Sequence, residues 1–264
     1  MRRHKLHNIL VVSGSHRKKG TGISLLDTFK TNFNTSKYTF ETIHLSNHNI
    51  EYCRGCTVCF KVGEAACPCN DDVQMIVDKM HKADGLVFIS PIYGMNVSGQ
   101  LKTFMDRITY LYHRPSLIGK PTVFLASTDL GGSGLISKYM KYIINAMGLR
   151  TVGTLGAYAV PFKKDESYRL KVSNNLKTIS IKYINELETE GMPEPKFGEL
   201  FHFVKWQNKN KYYKDIYPAD YDYWHERGWF DSEYYYPTKI KASDKVRLRF
   251  ISKRISSLVQ KRVK

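Results

Sequence analysis

Five cysteines fall between residues 53 and 69 as Cys53-x2-Cys56-x2-Cys59-x7-Cys67-x-Cys69, and the rest of the 264-residue chain has none. An odd number excludes complete intrachain disulfide pairing, so clustered thiols of this kind read as metal or redox chemistry. Four thiolates close in sequence suit a [4Fe-4S] cluster, and C-x2-C-x2-C is a ferredoxin-type spacing. Four thiolates also satisfy a tetrahedral zinc site, and reduced free thiols are the plain reading beside both. The expected metal ligands are Cys53, Cys56, Cys59 and Cys67, with Cys69 as the alternative fourth.

Two further segments have the residue types for binding. Ser13-Gly14-Ser15-His16-Arg17-Lys18-Lys19-Gly20-Thr21-Gly22 joins an apolar run to a helical pattern. Hydroxyls, a cation and the open N–H groups of a helix start suit a phosphate. The segment is neither G-x-G-x-x-G nor the nucleotide-triphosphate loop, so a dinucleotide or ATP site is not implied. Ser90-Pro91-Ile92-Tyr93-Gly94 forms a tight turn at a strand end, leaving backbone donors and a ring exposed, and Ser98 is placed to cap the next helix. Taken alone, Tyr93 is an ordinary surface aromatic. Asp71-Asp72 read as carboxylates opening a helix, and no Ser/His/Asp or metal–histidine set stands out.

The elements that would position these residues alternate along the chain. Ile9–Val12 and Leu86–Ile89 are continuous apolar runs, as in strands buried on both faces. Strands over Tyr38–Leu45, Thr122–Ala126 and Val152–Val160 complete a set of five. Helical spacing appears over Ile23–Phe33, from about Asp72, over Ser98–Tyr112, Leu135–Met147 and Glu166–Leu187. This is an α/β pattern: a parallel sheet with right-handed crossovers and helices on both faces. Such sheets bind ligands at the carboxyl ends of their strands, here the loops after Val12, Ile89 and Ala126.

Past Gly191-Met192-Pro193-Glu194-Pro195 the character changes. Fifteen of the 40 positions from 197 to 236 are Phe, Tyr or Trp, with no strong helical period. So much aromatic surface must pack on the core or on a neighbouring subunit. Were it to cover the mouth of a site, Trp224, Trp229 and Tyr234–Tyr236 would restrict what enters. Lys245–Val263 then places Val246, Phe250, Ile251, Ile255, Leu258, Val259 and Val263 along one helical face with basic residues elsewhere. The division expected is 1–190 as the α/β domain and 191–264 as a C-terminal extension. The net charge of +17 favours anionic partners. Without a nucleic-acid fold around it, the basic tail reads as a docked amphipathic helix with a solvated face. No stretch is apolar for long enough to span a membrane, and the apolar run after Met1-Arg2-Arg3-His4-Lys5 reads as a strand, so a cytoplasmic protein is expected.

Gly14-Ser15-x-Arg17, the cysteine segment running into Asp71-Asp72, and Ser90-Pro91-Ile92-Tyr93 through Gly99-Gln100-Leu101-Lys102-x-Phe104-x-Asp106-Arg107 together resemble flavodoxin-like NAD(P)H-dependent FMN reductases, and the iron-sulfur flavoprotein subgroup in particular. The resemblance covers roughly residues 6–190. It implies a flavodoxin-like five-stranded sheet in the order 2-1-3-4-5, a tightly bound FMN, and NAD(P)H as co-substrate. By matching position, Ser15, Arg17, Thr21, Gly22 and Ile23 would hold the FMN phosphate. Pro91, Ile92, Tyr93 and Gly94 would border the isoalloxazine, and Ser127, Thr128, Gly131 and Gly132 would close its other side. In that subgroup the fourth cysteine sits closer to the third than Cys67 does to Cys59. The expected function is an FMN-dependent oxidoreductase taking a hydride from NAD(P)H and passing electrons to a small molecule, quinone or acidic redox protein. The alternative is a non-enzymatic flavin and iron–sulfur electron carrier. A homodimer or homotetramer with FMN at the subunit interface is implied.

Overall fold

Burial on both faces selects the apolar strands, and the helices between them supply that burial. The computed structural model describes residues 6–263, with side chains to residue 261. The first half runs β1 (His7–Ser13), α1 (Thr21–Lys30), β2 (Tyr38–His44), α2 (Val58–Lys61), α3 (Val73–Lys82), β3 (Gly85–Tyr93), β4 (Asn96–Val97), α4 (Gly99–Arg107) and α5 (Tyr110–His113). The second half runs β5 (Pro121–Thr128), α6 (Ser133–Ala146), β6 (Arg150–Tyr158), α7 (Ala159–Lys164), α8 (Glu166–Glu188), α9 (Phe197–Tyr212), α10 (Pro218–Glu226) and α11 (Ala242–Val263).

The five long strands pair in parallel in the order β2-β1-β3-β5-β6, the flavodoxin-like order 2-1-3-4-5 once the two-residue β4 is set aside. β4 folds back antiparallel on the end of β3, pairing Ile92 with Val97. Alternation along β1 divides the core. Leu10 and Val12 face Ile76 of α3, Leu101 and Phe104 of α4, and Met140 of α6, whereas Ile9 and Val11 face Leu25 and Phe29 of α1 and Leu176 and Tyr183 of α8. Most boundaries shift by one to three residues; beyond that, the helix foreseen over Ser98–Tyr112 is split into α4 and α5, and Val160 belongs to α7, not to the last strand.

The aromatic segment contains two helices, α9 and α10, despite its missing period. Its side chains are buried on several sides rather than along one stripe, so no single repeat marks it. Trp206, Phe203, Trp224, Trp229, Tyr234 and Tyr235 form a third core with Leu248 of α11, closed against Tyr112 and Ile118 of the sheet domain. Trp224 is fully buried, and its Nε1 donates to the His113 carbonyl at 2.6 Å. Along α11 the docked face is not the one expected: Leu248 is buried and Ile251, Ile255 and Val259 are half-buried, but Val246, Phe250 and Leu258 are exposed. Ser252 and Ser256 take their place on the docked side, paired with Asn208 and Tyr212 of α9.

His202 of α9 is buried against Tyr142, and its Nδ1 finds no hydrogen-bond partner among the described residues. Burial, assisted by Lys205, lowers its pKa to about 4. Between that value and the ordinary 6.5 the unfolded chain binds more protons than the folded one, so stability falls as pH is lowered through this window. Urea unfolding should therefore show about 2 kcal/mol less stability from His202 at pH 5 than at pH 7, and His202→Gln should flatten that slope. An unchanged slope in the variant would remove His202 as its source.

Candidate functional site

The carboxyl ends of β1, β3, β5 and β6 open into a cavity of about 630 Å³. Ser15, Arg17, Thr21, Gly22, Pro91, Ile92, Tyr93, Gly94, Ser127, Thr128 and Gly131 line it, so three loops far apart in sequence meet at one place. Ile23 and Gly132 do not line it. Ile23 lies half-buried one turn into the helix, and Gly132, with φ at +82°, serves as the N-cap of α6. The cavity also takes in Gly20 and Met95, which lie within the two loop motifs, and Asp129, Leu130, Ala159, Val160 and Lys163, which sequence reasoning missed. The signal for these last five was position just after β5 and β6, at the strand ends where ligands bind.

The first loop is shaped for an anion. Gly20, the N-cap of α1, offers no side-chain cap, so among the described residues no side chain closes off the N–H groups of the first turn from a ligand. Ser15 Oγ accepts from the Arg17 N–H at 3.1 Å, curling the loop so that Arg17 borders the cavity. A Cβ on Gly22 would stand 3.0 Å from Ile89 Cγ2, which explains why the backbone can sit so close to β3. On the opposite wall Thr128 Oγ1 accepts from the Gly131 N–H at 3.1 Å and donates to the Gly131 carbonyl at 2.7 Å. This pins a turn in which Gly131 adopts φ of +154°. A cavity with a cationic, N–H-rich end and an apolar part of Pro91, Ile92 and Met95 has the chemistry to take an apolar ring carrying a phosphate.

Ser98 caps α4 as expected, accepting from the Leu101 N–H at 3.3 Å, and its hydroxyl also donates to the Gly14 carbonyl at 2.7 Å. That bond ties the first loop to the helix following the second.

All five cysteines are free thiols and border one cavity of about 550 Å³, together with Phe60, Glu64, Asp71 and Arg107. In number and chemistry the donors suit an iron–sulfur or zinc centre. Among the described residues no three of His, Cys, Asp or Glu stand together at metal-binding spacing, so ligation would require the loop to close further. Burial pushes the Cys59 thiol up to about 11, against the pull of Arg114, and a metal would have to displace its proton. Asp71 does more than open a helix. Arg107 holds it in a two-pronged buried pair and also donates to the Glu51 carbonyl at 3.1 Å, with Nη2 3.6 Å from Cys67 Sγ. Burial alone would raise the Asp71 carboxyl, but Arg107 and the N–H groups of Glu51 and Val73 hold it below the usual range. Asp72, at the N-cap of α3, turns its side chain to the Asn49 N–H instead of capping the helix. Arg107 is thus the residue whose role the sequence concealed.

Trp224, Trp229 and Tyr234–Tyr236 do not line the first cavity. Their rings pack on one another, with centroids 4.8 to 6.0 Å apart, and α10, which carries Trp224, packs against α2 of the cysteine loop.

A third cavity, also of about 550 Å³, shares Arg17 and Tyr93 with the first and reaches Ile50 and Tyr52, the residue before Cys53. This cavity adjoins the first and ends at the residue that precedes the cysteine segment. No helix among the described residues is long and apolar enough to cross a membrane.

An iron-sulfur flavoprotein of Archaeoglobus fulgidus is 29% identical over 219 residues, covering 82% of this chain and 97% of the relative. One of Clostridioides difficile is 28% identical over 226 residues, covering 83% and 98%. Both alignments are longer than residues 1–190 alone and so include part of the C-terminal extension. The NAD(P)H:quinone oxidoreductase from Methanothermobacter marburgensis shares the fold, with a TM-score of 0.51 at 19% identity over 66% of this chain and 98% of that one. Residues 7–163, which include the three loops of the first cavity, match the NADPH-dependent FMN reductase family, and the chain belongs to that family.

Proposed function

We propose that the protein is an FMN-dependent oxidoreductase that takes a hydride from NAD(P)H and passes electrons to an acceptor. The observation that carries this reading is the cavity at the strand ends, where Arg17 and the uncapped start of α1 face the turns at Tyr93 and Gly131. When bound, FMN supplies a ring that accepts a hydride and releases electrons singly or in pairs. Arg17 and the α1 N–H groups would neutralise its phosphate, and the Pro91–Gly94 and Ser127–Gly131 walls would grip the ring and exclude water from its inner face. Tyr93, 58% exposed at the mouth, offers a flat surface against which a nicotinamide or quinone ring can lie. Leu130, 96% exposed beside it, favours completion of the mouth by a second copy of the chain, in a homodimer or homotetramer.

The five thiols bordering one cavity support the reading of a [4Fe-4S] cluster as a second redox centre. With the +17 charge, this arrangement suits an acidic redox protein as acceptor. The same thiols favour the second reading, a flavin and iron–sulfur electron carrier without turnover of its own. Steady-state NAD(P)H oxidation by FMN-loaded protein separates the two, since a carrier shows no sustained turnover.

The Arg17→Ala variant should bind FMN about tenfold to a hundredfold more weakly, the loss of one charge-assisted contact worth roughly 1.5–3 kcal/mol. Fluorescence titration of apoprotein with FMN measures this directly, and wild-type affinity in the variant would reject Arg17 as the phosphate ligand.

A further inference from the structure

The cysteine loop is gripped from two sides. At its far end Arg107, from the sheet domain, holds Asp71 and approaches Cys67. At its near end the grip comes from the C-terminal extension. Asp220 of α10 is fully buried; its Oδ1 accepts from Arg114 Nη1 at 2.6 Å and its Oδ2 from His113 Nδ1 at 2.5 Å. Lys209 Nζ of α9 stands 3.8 Å from the same carboxylate. The other prong of Arg114 donates at 2.6 Å to Glu64, which lies between Cys59 and Cys67. Phe60, the neighbour of Cys59, stacks on the His113 ring at 4.1 Å and 12°, and Trp206 of α9 packs on that ring at 4.3 Å. Tyr217 meets Phe60 edge-on at 5.3 Å. The extension thus reaches the loop through one buried carboxylate, one forked arginine and one stack of rings.

We propose that the C-terminal extension is a structural part of the thiol site, and that Asp220 is a positioning residue that sets α2, and with it Cys59, for metal ligation. The energetics follow from charge. Among the described residues Asp220 is the one buried carboxylate facing Arg114 and Lys209; Glu64, on the loop side, is 41% exposed. Without Asp220 two cations are left close together in a buried place, and Arg114 loses the anchor from which it holds Glu64. Four-residue α2 has too few internal hydrogen bonds to hold its own geometry, so its position depends on Phe60 and Glu64. The proposal rests on the reading of the cysteines as a metal centre, but its consequence for Cys59 is visible in the metal-free thiol.

The test uses the full chain with Asp220→Asn and Glu64→Gln. In metal-free protein the alkylation rate of each cysteine is followed by mass spectrometry. Iron and sulfide per chain, and the electron paramagnetic resonance of the reduced centre, are measured after anaerobic reconstitution with ferrous iron and sulfide. Release of α2 should raise the alkylation rate of Cys59 about tenfold in Asp220→Asn and about threefold in Glu64→Gln, leaving that of Cys67 and flavin content unchanged. Iron retention should fall in the same order and the resonance spectrum should change in both variants. A general loss of stability would raise all five rates together, and that result, or an unchanged Cys59 rate, overturns the proposal. If Asp220→Asn does not fold, Glu64→Gln, altering a part-exposed side chain, decides alone. A wild-type protein that takes up no iron would reject the cluster while the Cys59 rates still test the positioning.

Discussion

Replacing Arg107 with leucine should lower the free energy of unfolding by about 3–5 kcal/mol, because it strands a buried carboxylate. Arg107 and Asp71 are 4% and 2% exposed, and the guanidinium also serves the Glu51 carbonyl, so two partners lose their donor at once. The cost is one of stranding rather than of lost attraction. Adding Asp71→Asn to the leucine variant should therefore recover part of the loss, since a neutral amide is cheaper to leave buried than a carboxylate. Urea denaturation of the single and double variants measures both quantities. A leucine variant within about 1 kcal/mol of wild type would show the pair to be energetically idle.

The second large effect is expected at Gly14. A Cβ there would stand 2.6 Å from Leu101 Cβ and 2.6 Å from Ser98 Oγ, neither of which is the free end of a long side chain. Ser98 is already committed to the Gly14 carbonyl and to the cap of α4. Gly14→Val therefore forces the end of β1 away from α4, at a cost of about 3 kcal/mol or more. The strain appears where the phosphate loop begins, so FMN affinity should fall at least about tenfold. Thermal unfolding and flavin content of the purified variant report the two losses together. Retention of FMN at wild-type affinity would show that the loop geometry does not depend on this approach.

Much of this protein is written locally. The runs Ile9–Val12 and Leu86–Ile89 are apolar without alternation because both faces of a central parallel strand are covered, and that pattern can be read without knowing what covers them. Ser98 can be read as a cap because capping is settled within three residues. The three loops of the first cavity are legible for the same reason: each is a short motif at a strand end, and the sheet order brings the ends together.

Tertiary structure decided what depends on pairs distant in the chain. Arg107 and Asp71 are 36 residues apart, and His113 and Asp220 are 107 apart. Each residue alone looks like a helix-end charge, and only the crossing of their elements shows it to be buried and paired. The aromatic segment hid two helices because its rings are covered from several directions. The face of α11 was misjudged because Ser252 and Ser256, polar by composition, dock through hydrogen bonds to Asn208 and Tyr212, leaving Phe250 outside. Periodicity records which residues avoid water; it does not record which polar groups find partners, and in this chain the link between the extension and the thiol loop is made by polar partners.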